Sequence, residues 1–172
     1  MQKLIFIGTI HGFTPIKDLE EIFKKYKPNQ IFVEICQEDI DKNSIDSYPL
    51  EMIEAYLWAK KNKIKVAGFD FDINVFARGK TEKDSQKLME EQDKVVQKHN
   101  WKDFNNRGFL ELLDKDENNL VDKGKFKLRQ EKMFENIRKN LIKSGTIIIL
   151  TGVGHLAFFE NKFPNAIFPL RN

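Results

Sequence analysis

A chain of 172 residues with 41% hydrophobic content and 15 phenylalanines carries enough apolar material for one core, which argues against a disordered chain, and a second independent core would be hard to fit. The net charge of +3 comes from 29 basic and 26 acidic residues scattered without a block of like charge, so no nucleic-acid footprint is expected. No apolar run approaches the ~20 residues that span a bilayer, and Cys36, the single cysteine, has no internal disulfide partner. The expectation is one cytoplasmic domain over residues 1-172, with no membrane anchor and no cleaved leader.

Leu4 to Ile7 is a continuous apolar run, the pattern of a strand buried on both faces of a parallel sheet, and it ends at Gly8. Thr14 is placed to cap a helix and Pro15 to begin it, with Ile16, Leu19, Phe23 and Tyr26 at helical spacing until Pro28. Gln30 to Ile35 is the next strand. A polar loop from Gln37 to Tyr48 leads through Pro49 into a helix with Met52, Ile53, Tyr56 and Leu57 on its apolar side. Lys63 to Phe69 is the third strand. Residues 81-143 then lose the strand rhythm and read as a helical insertion, whose last helix carries Phe126, Met133, Phe134, Ile137 and Leu141 on one face. Gly145 is expected to end that helix, Ile147 to Leu150 to form the fourth strand, and Ala166 to Phe168 a short edge strand. The fold class is therefore α/β, a mostly parallel central sheet flanked by helices, with the insertion before the last core strand.

Two strand exits carry the same signature, Gly8-Thr9-Ile10-His11 and Gly152-Val153-Gly154-His155. Open α/β sheets collect ligands at the carboxyl ends of their strands, so His11 and His155 are candidates for one site. Glu34 interrupts the apolar run of the second strand, where an unpaired carboxylate costs several kcal/mol. It needs a metal, a cation or its proton, and Arg129, on the inward face of the long helix, wants a carboxylate in turn. Asp70 and Asp72 follow the third strand, and either is placed to complete the site. His99 lacks this context and reads as structural or exposed. Two imidazoles and a carboxylate suit manganese, cobalt or zinc, with positions left open for water. Without a metal, a histidine or Glu34 serves as general base, and Cys36 is the alternative nucleophile.

Taken together, Leu4 to His11, Pro28 to Glu34, Gly68 to Asp72, Arg129 to Met133 and Gly152 to Leu156 resemble the motifs of the pheromone-shutdown TraB/PrgY family and of the related Tiki metalloproteases and GumN-like proteins, in the same order. The wider group includes erythromycin-esterase and ChaN-like haem-binding proteins. The resemblance implies that His11, Glu34 and His155 surround the site, that Arg129 supports it, that Asp70 lies nearby, and that the insertion acts as a lid. The pheromone-shutdown type often has an arginine where this chain has Phe71, and family members of the first two types carry membrane segments. The expectation is a metal-dependent hydrolase of peptide amide bonds, with His11, Glu34 and His155 as ligands and Arg129 orienting Glu34 or, with Asp70, the substrate. The alternatives are a peptide- or haem-sequestering protein using Phe69, Phe71, Phe158 and Phe159, and a metal-independent esterase. The expected partner is a peptide or small-molecule substrate, with a homodimer as the expected assembly if the insertion forms an interface.

Overall fold

The computed structural model describes residues 1–109 and 120–171. Four strands, β1 (Gln2–Thr9), β2 (Gln30–Cys36), β3 (Lys65–Asp70) and β4 (Gly145–Gly152), form one parallel sheet in the order β1-β4-β2-β3. Helices α1 (Ile16–Tyr26) and α3 (Leu50–Lys61) connect successive strands in one direction across the sheet. The return from β3 to β4 runs in the other direction through α4 (Glu82–Val96), a 3-10 turn at Trp101–Asn105 and α5 (Lys123–Asn140). Right-handed crossovers therefore place α1 and α3 on one face and α5 on the other. The chain closes with a 3-10 turn, Val153–His155, and α6 (Leu156–Lys162).

This two-sided cover explains why the strands read as unbroken apolar runs rather than alternating ones. Ile5, Ile7, Ile31 and Val33 are fully buried on one face, and Phe32 and Phe69 on the other. There Phe6 stacks on Phe159 of α6 and on Phe168, with ring centroids 5.2 Å apart in each case. Met133 and Ile137 of α5 are buried in the same core.

Several local expectations are corrected. Pro15 caps α1 instead of opening it, because the Thr14 hydroxyl turns back to the backbone of Ile10, accepting from its N–H at 2.8 Å and donating to its carbonyl at 3.1 Å. The polar loop after β2 contains a short helix, α2 (Gln37–Asp41). Leu57 of α3 is 49% exposed, so the apolar side of that helix is narrower than the sequence suggested. Helix α5 stops at Asn140, with Leu141 as its C-cap, and Gly145, at φ 104°, opens β4 rather than ending the helix. The Ala166 to Phe168 segment pairs with β1 only at an isolated bridge, Ile5 to Ile167. Within the insertion, residues 110-119 lie outside the described residues. No helix among the described residues is long and apolar enough to cross a membrane.

Candidate functional site

All four strands deliver a polar side chain to the carboxyl edge of the sheet. His11 follows β1, Glu34 sits near the end of β2, Asp70 ends β3, and Thr151, Gly152 and His155 come from the end of β4 and the turn behind it. All of these but Thr151, which is fully buried behind them, line a cleft of about 500 Å³ together with Arg129 of α5, Val96 of α4, and Phe13, Tyr48, Pro49, Phe126 and Val153. The glycines of the two exit motifs supply space for close approach. A Cβ on Gly8 would come within 2.6 Å of Leu156 Cδ1, and one on Gly152 within 3.2 Å of His11 Nε2.

Glu34 is the hub of the cleft floor. Its Oε2 accepts from the Thr151 hydroxyl and from the Gly152 N–H, both at 2.7 Å. Its Oε1 lies 3.3 Å from Arg129 Nη2 and 3.3 Å from His155 Nε2. Burial alone would raise the Glu34 pKa, but the charge and hydrogen bond of His155 and the charges of His11 and Arg129 prevail and hold it well below the usual carboxylate range. Arg129 answers with a forked contact to Asp70, Nε to Oδ1 and Nη2 to Oδ2, each 2.8 Å. Burial acts to lower the Arg129 pKa, and the Asp70 hydrogen bonds and the charges of Asp70 and Glu34 raise it above its ordinary value instead. Arg129 is thus engaged by two carboxylates of the protein itself.

The two motif histidines sit in unlike surroundings. His155 has a side chain only 7% exposed and stacks on Phe126 with centroids 5.1 Å apart. Its Nδ1 lies 3.1 Å from the buried Gln130 amide nitrogen. Because the ionised Glu34 can only accept, Nε2 carries the proton and Nδ1 takes the Gln130 N–H. His11 is 42% exposed on its side chain, and its Nδ1 lies 2.7 Å from Oε1 of Glu51, a carboxylate 1% exposed. The other Glu51 oxygen accepts from the Gly12 N–H at 3.2 Å. Burial acts to lower the His11 pKa, but the Glu51 hydrogen bond and the charges of Glu34 and Glu51 outweigh it and Arg129 and raise it above 6.5. With Nδ1–H directed at Glu51, the lone pair of neutral His11 is on Nε2, on the Gly152 side of the ring.

Comparison of the chain with protein-family models, curated proteins and solved structures gave no match in any of the three. The site is therefore read from its own geometry. Three of the expected site residues, Glu34, Arg129 and His155, are in mutual contact through Glu34, and Asp70 joins them through Arg129. His11 borders the same cleft but is held by Glu51.

In this arrangement the residues expected as metal ligands bond to protein groups. Among the described residues no group of three or more His, Cys, Asp or Glu converges as a metal cradle. The donor chemistry gives a reason: four hydrogen-bond donors crowd the Glu34 oxygens, and both nitrogens of His155 are engaged, which leaves only His11 Nε2 with an open lone pair.

Other candidates fall away from the cleft. Asp72 is exposed, and Cys36 is not among the cleft residues. Burial pushes the Cys36 thiol pKa up, with Asp70, Asp39 and Asp72 acting in the same sense and Tyr48 opposing, which disfavours the thiolate a nucleophile needs. Phe69 and Phe159 are fully buried in the core, and the aromatic walls of the cleft are Phe13, Tyr48 and Phe126 instead. His99 packs edge-on against Phe104 and Phe109, as its structural reading expected.

Sequence reasoning missed three residues. Glu51 follows Pro49 and Leu50, where an acidic side chain ordinarily complements a helix N-terminus. Gln130 is a neutral neighbour of Arg129. Asn105 lies far along the chain, yet its amide accepts from Gly8 N–H and donates to Gly8 O, each at 3.0 Å, and so fixes the exit of β1. The one available signal was helical phase: Gln130 precedes Met133 by three residues and Ile137 by seven, on their buried side.

Proposed function

We propose that this chain is a metal-independent hydrolase of ester or amide carbonyls, with His11 as general base and Glu51 as the carboxylate that positions it. The observation that carries the reading is the 2.7 Å contact between a half-exposed histidine at the cleft and a carboxylate buried behind it. That pairing fixes the ring and its tautomer and stabilises the imidazolium formed when the base takes a proton. In the reaction His11 Nε2 accepts a proton from water, the hydroxide equivalent attacks the carbonyl carbon, and the imidazolium returns the proton to the leaving oxygen or nitrogen. Glu34, Arg129, Asp70 and His155 form the polar floor against which the substrate rests, with Thr151 beneath it holding Glu34. The walls formed by Phe13, Pro49, Val96, Phe126 and Val153 suit a substrate with an apolar group next to its carbonyl.

The test is hydrolysis of a panel of nitrophenyl esters and peptide nitroanilides by wild type, His11→Ala and Glu51→Gln, before and after exhaustive chelation. The expected result is activity that survives chelation and is lost in His11→Ala. Activity that disappears on chelation and returns with manganese, cobalt or zinc would restore His11, Glu34 and His155 as a ligand set and overturn the metal-independent reading.

A further inference from the structure

A second cavity of about 500 Å³ shares no lining residue with the first. It lies between Asn106, Arg107 and Gly108 at the exit of the 3-10 turn, Glu160 of α6, and Phe168 and Arg171 of the C-terminal segment. That segment is held in place: Phe6 N–H donates to Ile167 O and Ile167 N–H donates to Leu4 O, both at 2.9 Å, while Phe168 stacks on Phe6. Arg171 is therefore carried on a fixed backbone.

Its side chain is only 7% exposed, and both terminal guanidinium nitrogens, Nη1 and Nη2, are buried without a hydrogen-bond partner among the described residues. The facing carboxylate is Glu160, whose Oε2 stands 3.5 Å from Arg171 Nη2 and already accepts from Arg107 Nη2 at 2.9 Å. Among the described residues two guanidinium groups thus share one carboxylate, leaving one positive charge uncompensated and two buried donor nitrogens open. An unpaired buried charge is costly, and a planar guanidinium fork is matched by an oxyanion. Burial and the Arg107 charge pull the Arg171 pKa below its ordinary value, with Glu160 opposing, which agrees with an underpaired group.

We propose that this second cavity is a binding site for a small oxyanion, the carboxylate or phosphate group of a compact ligand, taken by the open Arg171 fork with Arg107 beside it. Phe168 offers an apolar wall for the rest of the ligand. The site is independent of the hydrolytic reading, because none of its residues borders that cleft.

Thermal unfolding of the full chain at constant ionic strength tests it, with inorganic phosphate or acetate replacing chloride. The expected result is a saturable rise in Tm of about 3 °C with at least one of these anions, absent in Arg171→Gln and reduced in Arg107→Gln. A rise with phosphate alone assigns a phosphate ligand, and a rise with acetate alone a carboxylate. Should Arg171→Gln fail to fold, the Arg171 side-chain 15N resonance of the wild type, followed through the same titrations, must move saturably. No rise with either anion, an equal rise in a folded Arg171→Gln, or a static Arg171 resonance would overturn the proposal.

Discussion

The two Gly-x-x-His corners look alike in sequence and differ in nearly every physical respect. The β4 corner puts His155 in the interior, with Gln130 on one nitrogen, Glu34 on the other and Phe126 stacked on its face. The β1 corner leaves His11 half-exposed, with Glu51 behind one nitrogen and the other left for the cleft. A motif fixes where a side chain leaves the sheet, and the surrounding elements decide whether it becomes part of the floor or the reactive edge. Both corners need their glycines for close packing, so likeness in sequence here reports a shared packing demand rather than a shared chemical role.

Exchanging the histidines for alanine breaks this comparison most directly. His11→Ala should lower hydrolysis by about 10²- to 10⁴-fold with little change in Tm, because the proposed base sits at a half-exposed site. His155→Ala should show the opposite balance, a stability loss of about 2 kcal/mol from unpaired Gln130 and an opened space beside Phe126, read by denaturant unfolding. Equal stability losses in the two variants would erase the distinction.

Removal of the hub is the next largest effect. Glu34→Ala leaves the Thr151 hydroxyl, the Gly152 N–H and His155 Nε2 without their acceptor, although Arg129 keeps Asp70. The expected cost is about 3 kcal/mol by urea unfolding. The lowered Glu34 pKa also gives stability a direction with pH. That contribution is present above the unfolded carboxyl value of 4.5 and is lost as pH falls through the folded value, so the difference between wild type and Glu34→Ala should narrow in acid.

A smaller effect sharpens the account of the β1 corner. In the proposed reaction His11 acts in its neutral form, so hydrolysis should rise with pH through a midpoint above 6.5 and then level off. Glu51→Gln removes the charge and the strong acceptor that raise the His11 pKa, and its rate profile should therefore shift to lower pH. A profile that does not move would mean that Glu51 does not act on His11.

Much of this was visible in the chain itself. The apolar runs of β1, β2 and β4 are dictated by burial on two faces, and Glu34 stood out because a carboxylate in such a run demands partners. Arg129 was legible from its phase on α5. Glu51 was not, because an acidic residue in a first helical turn is ordinary, and only the docking of α3 against the exit of β1 turns it into a buried partner for His11. The saturation of Glu34 was equally hidden: it depends on the backbone N–H of Gly152 and the hydroxyl of Thr151, which sequence spacing does not align with β2. Arg171 lies on a C-terminal segment whose pairing with β1 is a single bridge, too short to leave a periodic signal.

The most direct measurement of the central claim is a pH titration of the histidine side-chain 15N resonances of wild type and Glu51→Gln. The account predicts opposite neutral tautomers, His11 protonated on Nδ1 and His155 on Nε2, with His11 titrating above 6.5 in the wild type and lower in Glu51→Gln. The same tautomer at both histidines, or a His11 midpoint indifferent to Glu51, would contradict it.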